Sequence, residues 1–527
     1  LLSKNFKNPK KKIQNKNKNQ IFKLQRTLLF MELRKYQQNI LAVAKEKNTL
    51  VILPTGLGKT LIAFYLIDHR LKFFGGKALF LAPTKPLVHQ HYTNFTKIFS
   101  YPAAMLTGSI KSEKRKDIWE KAKVIFATPQ TIANDIKNGL IALNGVSCIV
   151  FDEAHRCLKN YDYVFIAKNY KDGRILGLTA SPGETKEKID EICKNLNIEK
   201  IEIRTRESKD VKPYIKKARL SFVKVKLDEE FLLLREMINK LYSQYIEKLM
   251  EIGLLNKKNP SKRELIELNK ILANEKSKNF HALINLAILL KVQHAMELLE
   301  TQSIKALYLY LKDLYEKAKD KKNRATRELV RNLDFEKIFL KVLEFYNRQK
   351  EHPKLEKLRE ILEQKLKNNK EFKAIVFTQY RDNVLKIKEY LESFSINCQV
   401  FVGQAKKRNF GLNQKKQKEI LEEFRYGLIN VLISTSVGEE GLDIPEVDAV
   451  IFYEPIPSAI RKIQRAGRTA RTKEGEIVIL IAEKTRDEAY YWASFHKEKK
   501  MYRLIEKIDK ELTKDKKTIT LDKFFDI

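Results

Sequence analysis

Leu53-Pro-Thr-Gly-Leu-Gly-Lys-Thr60 follows an apolar run at 50–53 and precedes a helical pattern over 61–71. A glycine-rich turn between a buried strand and a helix lets backbone amides gather around a phosphate. Gly56 and Gly58 supply the backbone freedom, and Pro54, Thr55 and Leu57 complete the turn. Lys59 is placed to reach the outer phosphates of a nucleoside triphosphate, and the Thr60 hydroxyl to hold Mg2+. The strict form of this loop has glycine where Leu53 stands. Strand, loop and helix in that order predict a parallel sheet wrapped by helices.

Outward from the loop, apolar runs at 50–53, 78–82, 124–127, 148–151 and 175–178 read as buried strands alternating with helices. From about 228 to 350 the strand signal stops. Leu234, Ile238, Leu241, Tyr245 and Leu249 recur at helical spacing, and 281–299 is apolar nearly all round. The strand rhythm returns with runs at 374–378, 398–402, 431–434, 450–453 and 477–481. The reading is α/β: two parallel-sheet lobes with an all-helical insert between them. Expected boundaries are a basic tail at 1–30, a first lobe at 31–205, and a connecting segment and insert at 206–350. A second lobe at 351–485 and a C-terminal helix and tail at 486–527 complete the chain.

The 527 residues are enough for about three to four domains. Lys plus Arg number 103 against 66 Asp plus Glu, a formal charge of +37, which points to a polyanionic partner. The insert carries 24 basic and 15 acidic residues over 231–350, so its charge density is ordinary for this chain. Residues 1–30 hold nine basic and no acidic side chains, and read as a phosphate-gripping arm or as upstream sequence before Met31. Four scattered cysteines with no C-x-x-C pair exclude a disulfide framework or zinc ribbon and read as small core residues. Eight histidines form no ligand cluster. No apolar run reaches the ~18 residues of a membrane span, and the N-terminal stretch lacks a signal-peptide core. An intracellular, nucleoid-associated protein with nucleic acid as the polyanion is expected.

Asp152-Glu-Ala-His155 ends the run 148–151. Asp152 is suited to share Mg2+ with Thr60, and Glu153 to act as general base on the attacking water. Gln464-Arg-Ala-Gly-Arg-Thr-Ala-Arg471 lies in the second half. Arg468 and Arg471, three residues apart, share a helix face and would approach a γ-phosphate held by the first lobe.

Together these motifs resemble superfamily 2 helicases over roughly residues 33–500. That superfamily often lacks the first loop glycine, which accommodates Leu53. The resemblance makes Arg34-Lys-Tyr-Gln37 the adenine-reading element and places His155, Gly441, Asp443 and Gln464 around the nucleotide, with Asp443 at the ribose. It assigns strand contacts to Pro83, Thr84, Gly108, Thr128 and Pro129 in the first lobe and to Thr378 and Thr435 in the second. Thr179-Ala-Ser-Pro182 looks like the motif coupling hydrolysis to movement. Phe151-Asp-Glu-Ala-His-Arg156, Glu454-Pro-Ile-Pro-Ser-Ala-Ile-Arg461 and Arg486-Asp-Glu-Ala-Tyr-Tyr-Trp492 look most like the archaeal Hef and FANCM group. Membership there implies an ATP- and Mg2+-dependent motor on forked or branched DNA, with the insert at the branch. No Glu-Arg-Lys-type nuclease site is present in this sequence, so nuclease activity is not expected of it.

Two other classes fit parts of the sequence. One is a duplex-RNA-activated ATPase of the RIG-I-like or Dicer type. The other is a non-enzymatic nucleic-acid scaffold, which has no need of Lys59, Asp152, Glu153, Arg468 and Arg471 together. The final stretch resembles a sliding-clamp peptide, with Leu521, Phe524 and Phe525 as the apolar plug and Thr518 in place of the usual glutamine.

Overall fold

The computed structural model describes residues 33–183, 185–214, 218–274, 279–320, 323–379, 381–402, 412, 414–435, 444–456 and 474–522. The chain divides into two compact units. One comprises residues 1–216, 441–443 and 497–527, the other 217–440 and 444–496.

The first unit is built on seven strands: β1 (Thr49–Ile52), β2 (Lys77–Leu81), β3 (Ala103–Leu106), β4 (Val124–Ala127), β5 (Val146–Asp152), β6 (Arg174–Thr179) and β7 (Lys200–Ile203). Their order is β3-β4-β2-β5-β6-β1-β7, every pairing parallel. β1, β4 and β5 are buried along their whole length, as strands covered by helices on both faces must be. Phe64, Phe80, Phe95 and Phe126 pack on one face, with the Phe64 and Phe95 rings edge-to-face at 5.2 Å. Parallel strands end at one edge, so the loops after all of them meet there. The register sets Ile52 opposite Thr179 and Asp152 opposite Leu178, which brings the loops after β1, β5 and β6 side by side.

The second unit holds β8 (Ala218–Val225), β9 (Ala374–Phe377), β10 (Cys398–Phe401), β11 (Val431–Ser434), β12 (Ala449–Phe452) and β13 (Gly475–Ala482), in the order β10-β11-β9-β12-β13-β8 and again all parallel. Between β8 and β9 lies the helical insert, Glu229–Glu251 through Leu333–Asn347. Its helices are capped by side chains: Asp228 accepts from the Phe231 amide at 2.9 Å, and Asn279, Ser303 and Asn332 do the same at later starts. Phe231, Leu234, Ile238, Leu241, Tyr245 and Leu249 form its core stripe against the helix Phe280–Thr301.

That helix corrects one expectation. By length and composition it could cross a membrane, with a mean hydropathy of 1.4 over its best window. Here it is the central helix of the bundle, with Glu297 and Glu300 buried and ion-paired to Lys262 and Arg235. The four cysteines are buried, as expected. Burial pushes the thiols of Cys148, Cys157 and Cys398 up to about 12, which leaves them unreactive.

All ten expected strands are present. The three not anticipated are β3, β7 and β8, and each is an edge strand. An edge strand need not be apolar throughout. Lys200-Ile-Glu-Ile203 and the stretch Arg219–Val225 alternate instead of forming a run. β8 has a further consequence. The segment expected only to connect the first lobe to the insert contributes a strand to the second sheet.

Candidate nucleotide and strand-contact site

The phosphate loop joins β1 to the helix Lys59–Phe74, with Gly56 at φ 85° and Gly58 at φ 75°. Paired left-handed glycines are what a loop curling its amides around an anion requires. Leu53 is wholly buried, and its amide bonds the Thr179 carbonyl at 3.0 Å. A leucine here therefore anchors the loop to the sheet and its core. Lys59 Nζ donates to the Leu53 carbonyl at 2.7 Å, so the ammonium lies along the loop it is expected to serve.

Arg34 and Gln37 lie beside the same loop. Gln37 is nearly fully buried, its Oε1 accepting from the Arg34 amide at 2.9 Å. Its Nε2 donates to the carbonyls of Leu57 and Gly58, both at 3.3 Å. The amide expected to read an adenine edge thus braces the loop backbone. Tyr36 adds a second brace, its hydroxyl donating to the Leu57 carbonyl at 2.8 Å. The Arg34 guanidinium lies over the Tyr214 ring at 5.5 Å and donates to the Tyr36 hydroxyl at 3.3 Å.

Asp152 and Glu153 close β5. Asp152 Oδ2 lies 2.9 Å from Nε2 of His91, a buried residue on the helix Lys85–Thr96. Its main-chain carbonyl accepts from the Tyr163 hydroxyl at 2.7 Å. Glu153 has φ 52° and ψ 50°, a left-handed conformation that a non-glycine residue adopts at a cost of about 1–3 kcal/mol. Strain of that kind persists where the surroundings over-determine it, and here it sets the carboxylate apart from the strand. His155 Nδ1 stands 3.4 Å from Glu153 Oε2 and 3.2 Å from Thr179 Oγ1. Thr179 Oγ1 also donates to the Ser181 carbonyl at 3.0 Å. A chain of polar contacts therefore runs from Glu153 through His155 to Thr179 and on to Ser181, inside the Thr179–Pro182 motif.

The strand-contact candidates of this unit occupy the other half of the same edge. Pro83 and Thr84 follow β2, Gly108 follows β3, and Thr128 and Pro129 follow β4. These three strands are adjacent. Thr84 is exposed and caps the helix Lys85–Thr96, accepting from the Leu87 amide at 3.5 Å. Gly108 is exposed as well. Thr128 and Pro129 are buried, with Thr128 Oγ1 2.8 Å from Thr131 Oγ1. The candidates thus divide along the sheet edge, those expected to touch a nucleic-acid strand over β3-β4-β2 and those expected to hold a nucleotide over β5-β6-β1. His91 links them, since its helix starts beside Thr84 and its ring reaches Asp152. The sequence reading did not single out His91. The available signal was its position four residues after Leu87, on the buried face of the helix.

In the second unit Thr378 and Thr435 follow β9 and β11, and both are buried. The Thr378 hydroxyl donates to Glu454 Oε1 at 2.9 Å, and the Gln379 amide bonds the same oxygen. Burial pushes the Glu454 carboxyl up to about 7, offset in part by the bond from Gln379 and by nearby Lys354. Gly441, Asp443, Gln464, Arg468, Arg471, Phe524 and Phe525 lie outside the described residues, as does the side chain of Leu521.

A magnesium ion fits the donors present. Among the described residues no group of three or more His, Cys, Asp or Glu could hold a metal. Mg2+ with a nucleotide does not ask for one. It keeps several waters and takes one or two carboxylates together with phosphate oxygens. Thr60 at a helix start and Asp152, held by His91, are a donor set of that kind.

Comparison with known proteins gives three family matches. Residues 30–184 match the type III restriction enzyme res subunit, 353–473 the helicase conserved C-terminal domain, and 230–349 the helical bundle of a putative ATP-dependent RNA helicase. The crystal structure of the Pyrococcus furiosus Hef helicase domain is 46% identical with a TM-score of 0.70, covering 88% of this chain and 98% of that one. A putative ATP-dependent RNA helicase of Methanocaldococcus jannaschii is 41% identical over 90% of this chain and 61% of its own length. The Fanconi anemia group M protein homolog of mouse is 36% identical over 90% of this chain and 26% of its own. The chain therefore spans less than two thirds of either full-length relative.

Proposed function

Since this chain belongs to the Hef and FANCM group of superfamily 2 helicases, we propose that it is an ATP-driven DNA helicase or translocase acting on forked or branched DNA in fork repair and recombination. The observation that carries the catalytic part is the left-handed Glu153 between Asp152, oriented by His91, and His155, at the sheet edge that also carries the phosphate loop.

In this reading Lys59 leaves the Leu53 carbonyl for the outer phosphates. Glu153 takes a proton from the water that attacks the γ-phosphorus, and the bond from phosphorus to the bridging oxygen breaks. Mg2+, held by Thr60 and Asp152, would supply charge neutralisation on the phosphates. His155 hears the change at Glu153 and passes it to Thr179. Arg468 and Arg471 are proposed, on sequence alone, to stabilise the transferring phosphoryl group. Thr84 and Gly108 hold a nucleic-acid strand by its backbone, a contact that carries little base information. Affinity should accordingly fall steeply with salt.

The test is ATP hydrolysis at low salt without nucleic acid, then with single-stranded DNA, forked DNA or duplex RNA, each alongside Glu153→Gln. Stimulation by forked DNA that disappears in the variant supports the reading. Stimulation by duplex RNA alone moves the substrate to RNA, a second reading favoured by the name of the Methanocaldococcus relative. The tail at 518–527 is proposed to bind a sliding clamp while the protein works at the nucleoid. Full clamp binding after deletion of those residues would remove that part.

A further inference from the structure

β3, β7, β8 and β10 lie at the ends of the two sheets. Three of them are four residues long and leave no residue exposed. β8 is eight residues long and exposes Leu220 and Phe222, at 46% and 43%. Its main chain is open as well. The N–H and C=O of a strand residue point to the same side, and successive residues alternate. The Val225 carbonyl accepts from the Glu483 amide at 2.9 Å, on the β13 side. Arg219, Ser221 and Val223 therefore also face β13, while Ala218, Leu220, Phe222 and Lys224 turn their N–H and C=O outward. Among the described residues those outward groups have no hydrogen-bond partner.

The same four residues share one side-chain face. On it Phe222 packs edge-to-face on Tyr491 at 4.9 Å, and Trp492, next on the helix Arg486–Asp522, is 54% exposed. The stretch 486–492 thus lends the strand an apolar surface that the nucleotide chemistry leaves unused. An exposed apolar patch beside an open strand edge is a template for a strand from another chain. The charge at this edge has one sign. Residues 218–227 carry Arg219, Lys224 and Lys226 and no acid. All three are exposed and make no ion pair among the described residues. Glu476, opposite Arg219 in the register, is bonded to Ser221 and Lys365 instead.

We propose that β8 is a docking edge for an extended segment of another protein in which apolar and acidic residues alternate. The segment adds as a strand, its main chain bonding the outward groups of β8. Its apolar side chains meet Leu220, Phe222 and Trp492 on one face, and its acids meet Arg219 on the other. Other occupants match this edge less well. A second copy of this chain would bring the same basic side chains and no acid to the joint, and like charges across a strand pair repel. The stretch 1–30 holds no acid either. A DNA backbone would meet the cations, but it has no donors for the outward carbonyls.

The test uses the full chain and a fluorescein-labelled decapeptide alternating valine and glutamate, read by anisotropy. Saturable binding is expected, with slowed amide exchange over 218–225. A decapeptide alternating valine and lysine should bind about tenfold or more weakly. Leu220→Pro removes one outward N–H and keeps the β13 ladder, since proline is tolerated on the open side of an edge strand. It should weaken the valine–glutamate peptide about fivefold. Lys224→Glu should weaken that peptide too and strengthen the valine–lysine one. Melting temperatures will show whether both variants fold, and Lys224→Glu decides alone if Leu220→Pro melts early. No saturable binding, equal affinity for the two peptides, or wild-type affinity in the folded variants overturns the proposal. So does a dimer of the free chain, seen in sedimentation, that Leu220→Pro abolishes, which gives the edge to a second copy. Weakened DNA binding in Lys224→Glu with peptide binding intact gives it to nucleic acid and overturns the proposal as well.

Discussion

The order β10-β11-β9-β12-β13-β8 of the second sheet repeats β3-β4-β2-β5-β6-β1 of the first, with only β7 lacking a counterpart. Corresponding loops can therefore be set against one another. After β1 comes the phosphate loop; after β8 come Asp228 and the helical insert. Asp152 and Glu153 close β5, whereas β12 is followed by Glu454, buried and pushed up to about 7. After β2 the first sheet presents the exposed Thr84, and after β4 it holds Thr128, which is buried. Behind β9 and β11 the second encloses Thr378 and Thr435. One scaffold thus carries two trades. In the proposed reading the first sheet keeps its acids for chemistry, while the second bonds an acid to Thr378 and Gln379 and has the insert after the strand that corresponds to β1.

The sharpest way to break this comparison is to neutralise the acid at corresponding positions. Glu153→Gln should lower nucleic-acid-stimulated hydrolysis by about 10²–10⁴. Glu454→Gln should leave that rate largely intact, and an equal loss in both would mean that the second sheet also supplies a catalytic acid.

Glu454→Gln should instead change how stability depends on pH. The folded carboxyl titrates near 7 and the unfolded one near 4.5. The folded state therefore binds this proton more tightly, and the contribution is fully present below pH 4.5. It is lost as pH rises to 7 and is flat beyond, an amount of order ~3 kcal/mol. Urea melts at pH 5 and pH 8 should show that decline in the wild type and a smaller one in the variant. Parallel curves would mean that Glu454 is not held in an apolar setting.

Replacing 229–347 by a short loop asks whether the insert or the sheet beneath it selects the branch. The lobes should fold, and the preference for forked over linear DNA should drop about tenfold, or ~1.4 kcal/mol. Undiminished preference would make the insert a spacer. Smallest is Gly58→Ala. A Cβ there meets Gln37 Nε2 at 2.5 Å, and the backbone sits at φ 75°. Left-handed alanine costs about 1–2 kcal/mol, a lowering of a few degrees in the melting of the first unit. No shift would mean that the loop does not need Gln37 as a brace.

Much of this was legible in the residues. The phosphate loop, the Asp152–His155 motif and ten strands announce themselves; nine of the ten are central strands, apolar on both faces, and the tenth, the edge strand β10, is still mostly apolar and buried. β3, β7 and β8 escaped because edge strands alternate or carry small residues, and β8 also pairs with a strand far away in the chain. His91 and Glu454 escaped for a related reason. A lone histidine inside a helix, or a glutamate after a strand, acquires its meaning only when tertiary packing supplies Asp152 or Thr378. Gln37 was found by motif, but its bonds to the loop backbone depend on how the helix Lys35–Glu46 packs.

β8 also bears on how the protein is made. Its ladder partner is β13, so Ala218 pairs with a strand beginning at Gly475. A ribosome adding about 5–20 residues per second needs roughly 13–50 s to deliver that partner. During that interval the strand carrying Leu220, Phe222 and Val223 has no ladder to join, while the insert helices can already form from local contacts. The sheet is then completed by a long-range closure late in synthesis, the kind of step that slows folding and offers an open edge to other chains. Nascent chains stalled just before β13 should therefore be the ones most in need of a chaperone.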